Sequence, residues 1–182
     1  MGGPDYQLHT TYFLPRLELV GQGWIGAGHS SRPSDAGSFN EYGTAVAGAG
    51  GRLCLDFLHT RNVDNNTGAF SGWGGSGCYA ALYDTGGAVQ HRIGGGFDIF
   101  VLDNRLMIPI HLNFIYRDIP HADPQFGGVL NLGVRYFFRT LDQGAGINPY
   151  VGADFGIGGF GGRQGGFGFL ELQINGGIQA RF

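Results

Sequence analysis

From Leu170 to Phe182 apolar and polar residues alternate without a break. Leu170, Leu172, Ile174, Gly176, Ile178, Ala180 and Phe182 fall on one face; Glu171, Gln173, Asn175, Gly177, Gln179 and Arg181 fall on the other. A helix would scatter these charges around its whole circumference. A strand puts residues two apart on the same side, so the pattern gives it one apolar and one polar face.

The same period runs through the rest of the chain. Leu106, Ile108, Ile110, Leu112, Phe114 and Tyr116 oppose Arg105, Met107, Pro109, His111, Asn113, Ile115 and Arg117. Before them, Val89, His91, Ile93, Gly95, Phe97, Ile99 and Val101 oppose Gln90, Arg92, Gly94, Gly96, Asp98 and Phe100, with a turn at Asp103-Asn104. Two such runs across a short turn make a hairpin. Leu130 to Phe138, Val151 to Ile157, Phe13 to Ile25 and Ala45 to Phe57 repeat it, while Tyr79–Tyr83 is shorter. Strands are expected near 11–27, 41–58, 76–84, 87–102, 105–118, 126–139, 148–160 and 166–182. The expected fold is all-β, a closed antiparallel up-and-down barrel of eight strands in one domain, 1–182. Residues 59–76 are long for a turn, so a ten-stranded count is the alternative.

Alternation alone leaves the inside of such a barrel undecided. A soluble barrel of the lipocalin type turns its apolar face inward, and a transmembrane barrel turns it outward. Three features favour the second. Lysine is absent, all 11 basic residues are arginine, and charged residues make up only 14% of the chain. The polar faces collect Arg16, Arg52, Arg92, Arg105, Arg117, Arg135 and Arg181 with Glu18, Asp56, Asp98, Asp154, Glu171 and His111. Such a mix suits a paired interior better than a solvated surface. Aromatics gather toward strand ends, Phe13, Phe57, Phe138 and Phe182 at one and Trp24, Tyr116 and Phe126 at the other. Girdles of this kind mark both interfaces of a membrane barrel. Finally, the alternating run ends on Phe182.

That ending, Ile174-Asn-Gly-Gly-Ile178-Gln-Ala-Arg-Phe182, resembles the C-terminal strand of outer-membrane proteins. Leu132-Gly-Val-Arg-Tyr-Phe-Phe138 and Asn148-Pro-Tyr-Val-Gly-Ala-Asp-Phe-Gly156 are similar to the penultimate strands of small barrels of the OmpA-membrane-domain and opacity-protein superfamily. The resemblance covers most of the chain in pattern but only its last third in motif. It implies an integral protein of a bacterial outer membrane, with Ile174, Ile178 and Phe182 read by the outer-membrane assembly machinery. Membrane lipid and lipopolysaccharide are the implied surroundings, and a larger envelope complex is a further partner class. The fold carries no function by itself.

No run approaches the ~18 consecutive apolar residues of a membrane helix. Leu106 to Tyr116 is broken by Pro109, His111 and Asn113. Met1–Val20 shows no signal peptide, and Met-Gly-Gly-Pro-Asp reads as a mature start with an initiator Met, which does not argue for the cytoplasm. With both termini in the periplasm, the outward loops are 28–40, 84–87, 118–126 and 160–166. At a net charge of −3 with no basic stripe, nucleic acid is not an expected partner.

The chemistry expected inside is structural. An eight-stranded barrel is just wide enough for side chains. The Arg and carboxylate residues should therefore pair into a plug, with a narrow conduit or small channel for ions as the alternative. Glu18 and Glu171 should lie near each other, because the first and last strands close the barrel. Cys54 and Cys78 fall on strands expected to pair and form either one disulfide or two small semi-buried thiols. No enzyme is expected. From Gly127 to Phe182 there is no Ser and no His, which excludes a deacylase with its dyad on the last strands. His29, Ser30 and Ser31 with Asp35 or Asp84 could compose an acyltransferase-like site, but a solvated turn explains them as well. The six His, at 9, 29, 59, 91, 111 and 121, lack metal-ligand spacing, and no cofactor is expected. His91 falls on the apolar register, which is tolerable near a membrane rim.

Overall fold

A computed structural model describes residues 10–30, 40–62, 70–102, 105–120, 123–139, 146–162 and 165–181. They form eight strands: β1 (Thr10–Ser30), β2 (Asn40–Asn62), β3 (Phe70–Asp84), β4 (Val89–Val101), β5 (Leu106–Asp118), β6 (Gln125–Phe137), β7 (Gly146–Gly162) and β8 (Gly165–Arg181). Each pairs antiparallel with the next, and β8 returns to β1, so the sheet is a closed up-and-down barrel. Closure leaves no strand edge along the wall. The lower end is where β1 begins and β8 ends. The upper end carries the β1–β2, β3–β4, β5–β6 and β7–β8 connections.

Strand number and direction agree with the sequence pattern. The exception lies at 59–76. There β2 continues to Asn62 and β3 starts at Phe70, paired Asn62↔Phe70, so the described residues of the segment lengthen one hairpin and supply no extra strands. Gly72, Gly74, Gly75 and Gly77 hide this stretch from periodicity, because residues without side chains cannot alternate. Gly74 also has a packing reason: a Cβ there would collide with the Phe57 carbonyl across the hairpin. The β3–β4 turn needs Gly87, whose φ is +81°, as it closes by donating to the Asp84 carbonyl at 3.0 Å.

The apolar register faces outward. Leu17, Leu19, Leu53, Ile93, Leu112, Phe114, Leu132, Phe155, Leu172 and Ile174 are exposed, while Arg16, Glu18, Asp56, Arg92, Arg135 and Glu171 are buried. The lumen is nevertheless polar only in its middle. Leu14, Leu58, Phe100, Met107, Phe137 and Tyr150 pack together at its lower end. Trp24, Ile115, Val129, Phe160, Phe167 and Phe169 fill its upper end. Trp24 thus departs from its expected place in an outer girdle. It is 4% exposed because its even position on β1 shares the inward parity of Arg16 and Glu18.

Candidate functional site: the charged lumen

Four arginines and four carboxylates meet in the middle of the barrel. Arg16 grips Asp56 with two nitrogens, Nε donating to Oδ2 at 2.8 Å and Nη2 to Oδ1 at 3.0 Å. Gln179 also donates to Asp56, at 2.9 Å. Glu18 sits among three guanidiniums: Arg16, Arg52 at 2.9 Å and Arg135 at 3.1 Å. Arg135 reaches on to Asp154 at 3.0 Å, which also accepts from Asn175 at 2.9 Å. Arg92 forms a second fork, with Nη1 and Nη2 each 2.9 Å from a Glu171 oxygen. The two clusters are joined by Gln173, which contacts Arg52 and donates to Glu171 at 2.9 Å. Planar two-point pairing of this kind is what guanidinium offers and ammonium does not, which accounts for arginine without lysine.

These charges are largely desolvated: Glu18 and Asp56 are 0% exposed, Arg16 is 1%, and Arg52, the most open of them, is 9%. A lone buried charge costs several kcal/mol, on the order of what a whole small domain has to spare, so mutual compensation is a condition of folding. Glycines make the room. A Cβ on Gly152 would come within 2.7 Å of Arg135 and 2.6 Å of Asn175, and one on Gly156 within 2.7 Å of Glu171.

Of the residues expected in this network, Arg16, Glu18, Arg52, Asp56, Arg92, Arg135, Asp154 and Glu171 are brought together as described. Asp98 and His111 form a separate pair at 2.8 Å. Arg117 lies at the upper rim, bound to Asp84 through Nε at 3.0 Å and Nη2 at 2.8 Å. Arg105 stands half-buried in the β4–β5 turn at the lower end, away from the network. The backbone of Arg181 pairs with Gly146; its side chain, like Phe182, lies outside the described residues. Ile174 and Ile178 are exposed on the outward face of β8.

The expected proximity of Glu18 and Glu171 is corrected. Barrel closure does pair β1 with β8, but the register sets Glu18 opposite Gly177 and Glu171 opposite Trp24, so each carboxylate joins a different cluster. Neighbouring strands do not imply neighbouring residues, and register was not readable from the pattern. The amides Gln22, Gln90, Asn131, Gln173, Asn175 and Gln179 were also missed as members, although they share the inward parity. Asp84 reads better than its sequence context promised. It caps the β3–β4 turn by accepting from Gly86 and Ala88 N–H at 2.9 and 3.0 Å while holding Arg117.

Cys54 and Cys78 are joined in a disulfide. They face each other across β2 and β3 and are buried on the lumen side. Next to them a cavity of about 10 Å³ is lined by Arg52, His111, Asn113, Asn131 and Asp154, room for about one water.

Two arrangements resemble chemistry. Ser76 Oγ and Asp98 Oδ1 both approach His111, at 2.9 and 2.8 Å, but both meet Nε2. A nucleophile–base–orienter relay needs its partners on the two different ring nitrogens, an arrangement this trio does not have. His29 and Ser30 end β1, but their side chains, with Ser31, Asp35, His9 and His121, lie outside the described residues. Among the described residues no group of three His, Cys, Asp or Glu could hold a metal ion. Comparison with family models, with curated proteins and with solved structures found no match to this chain.

Proposed function

We propose that this chain is an integral outer-membrane β-barrel whose lumen is plugged, with a structural or adhesive role at the cell surface and no catalytic one. The observation that carries this is the direction of the alternation. Wherever side chains are described on β1 to β8, the outward positions are apolar, glycine, tyrosine or histidine, and the charged exception is Asp118 at the very end of β5. In water that surface would be one apolar patch around the whole molecule, far above what a soluble monomer tolerates. In lipid it is the required surface, and a closed barrel satisfies its own backbone there. A lipocalin-like binding barrel needs the opposite arrangement.

Outward aromatics support the same reading. Phe13 packs edge-on against Phe57 at 5.1 Å, and Trp73 lies 5.2 Å from His59, all toward the lower end. Tyr83, Tyr116 and Phe126 stand toward the upper end. The plug is favoured over a channel because the charged middle is closed above and below by packed apolar groups.

The test is electrophoretic mobility of unheated and boiled protein extracted in mild detergent, followed by conductance in planar bilayers. A heat-dependent shift with β-rich circular dichroism and no steady conductance is expected. Protein soluble without detergent and lacking the shift would sink the membrane reading. A stable conductance would replace the plug with a channel.

A further inference from the structure

His91 is a polar side chain on the outward wall, and the plugged barrel gives it nothing to do. It is two residues inside the start of β4, and it is not isolated. Tyr79 Oη and His91 Nδ1 are 2.7 Å apart. The His91 ring lies 6.2 Å from that of Tyr79 at 30° and 6.0 Å from that of Tyr116 at 33°, and Tyr116 lies 5.3 Å from Phe126. The register puts His91, Tyr116 and Phe126 side by side on one row across β4, β5 and β6. One row above are Tyr83 and Asp118. Opposite them on the barrel, β8 and β1 present only Leu, Ile, Ala and Gly at the corresponding height, as Leu172, Ile174, Gly21 and Ile25 illustrate. Among the described residues the upper rim therefore has one polar-aromatic side.

We propose that this row, Tyr79, His91, Tyr116 and Phe126 with Asp118 above it, binds the sugar headgroup of a glycolipid in the surrounding leaflet. The proposal rests on the membrane reading above. Tyr79 Oη and His91 Nδ1 share one hydrogen bond, and whichever of them donates, Nε2 is the ring nitrogen turned beyond the row, as a donor in one tautomer and an acceptor in the other. A polar group on a lipid-facing wall is costly unless it meets a polar partner, and at the rim that partner is a headgroup. The charges choose which kind. A phosphate would call for a cation, but Arg117 is turned into the lumen onto Asp84, and no described outward strand position carries an arginine. A neutral sugar fits every described group of the row. Its hydroxyls, which both donate and accept, meet His91 Nε2, accept from Tyr116 and donate to Asp118, and its C–H faces lie against the aromatic rings.

The barrel is folded in neutral detergent, its heat-dependent mobility shift is verified, and lipid retention is read by native mass spectrometry. Three lipids are offered in equal amounts: an acylated disaccharide without phosphate, its bisphosphorylated form, and phosphatidylethanolamine. Both glycolipids should be retained equally, each about 5-fold above phosphatidylethanolamine, the equivalent of one good hydrogen bond. His91→Phe and Tyr116→Leu should each lower retention about 5-fold, as loss of one such contact implies, while Ile174→Phe on the opposite wall should change nothing. Equal retention of all three lipids, retention that follows phosphate, or indifference to both variants would overturn the proposal with the barrel still standing. A missing heat shift in the unmodified protein would instead remove the membrane reading, and this site with it.

Discussion

The middle of the lumen and its upper end are sealed by different physics. In the middle every carboxylate is shared: Glu18 alone touches Arg16, Arg52 and Arg135. At the upper end the rings of Trp24, Phe160, Phe167 and Phe169 fill the bore, with Trp24 5.2 Å from Phe167 and Phe160 4.7 Å from Phe169. Among the described residues one pair, Arg117 and Asp84, supplies the charge in the bore there, and Arg117 lies over Trp24 and Phe160 at 5.5 and 5.8 Å. The middle is a network in which removing one member strands several others. The upper end is a packed core in which removing one member leaves a hole.

That difference sets the order of expected damage. Glu18→Ala leaves three buried guanidiniums short of a partner and should cost about 4 kcal/mol, in the range for breaking buried ion pairs. Urea unfolding in detergent, followed by the heat-dependent mobility shift, measures it. Glu18→Gln should recover little, because the amide restores shape without charge. Trp24→Ala should cost about 3 kcal/mol through lost packing and the cavity left behind. It should also leave bilayer conductance at baseline, since the charged middle lies below it in series. A steady current through Trp24→Ala would mean that the aromatic end is the true seal and the middle already a conduit.

The two regions were not equally legible. The network was readable as a membership because parity is the one thing period-two alternation transmits, and Arg16, Arg52, Arg92 and Arg135 all carry it. Its partners were not, since a pairing such as Arg52 with Asp154 crosses the bore between strands far apart in sequence. The aromatic end was misread for a different reason. Trp24 has the inward parity of Glu18, but a tryptophan near a strand end also fits an interfacial girdle, and chemistry outweighed position. Leu14, Leu58 and Met107 were likewise apolar residues on a face expected to be polar, so the lower seal was hidden by the very rule that revealed the barrel. Strand ends were lost where glycine removed the signal, as at the start of β3.

The disulfide tests whether the middle depends on covalent support as well as charge. It spans 24 residues between adjacent strands. Loop-closure entropy for such a span is worth about 3 kcal/mol, and the pairing of β2 with β3 in partly folded chains reduces that to about 2 kcal/mol. Replacing Cys54 and Cys78 together by Ser should lower the unfolding free energy in urea by that amount and steepen the slope slightly, because the uncross-linked unfolded chain is more expanded. In the unmodified protein a membrane-permeant reductant should fail to reduce the bond until the barrel unfolds, because both sulfurs are buried. Reduction without unfolding, read by thiol labelling, would mean that the lumen middle opens on its own.

The smallest effect should come from Arg117→Ala, and it bears most directly on the contrast. Arg117 has three oxygen-bound nitrogens, two on Asp84 and one on Gln125, and two aromatic faces beside it, so counting contacts would rank it with the central arginines. Its surroundings rank it lower. Its side chain is 13% exposed, at the rim. Asp84, its partner, keeps the N–H groups of Gly86 and Ala88 and the Gln90 amide when the guanidinium is gone, and so is not left as a bare charge. The expected loss is about 1 kcal/mol, that of a partly screened pair with a cation–π contact. Arg117→Lys should recover only part of it, because an ammonium cannot form the two-nitrogen grip or lie flat on Trp24. If Arg117→Ala costs as much as Glu18→Ala, the rim pair is as desolvated as the centre, and the boundary drawn between a network and a packed core would have to move up to the mouth of the barrel.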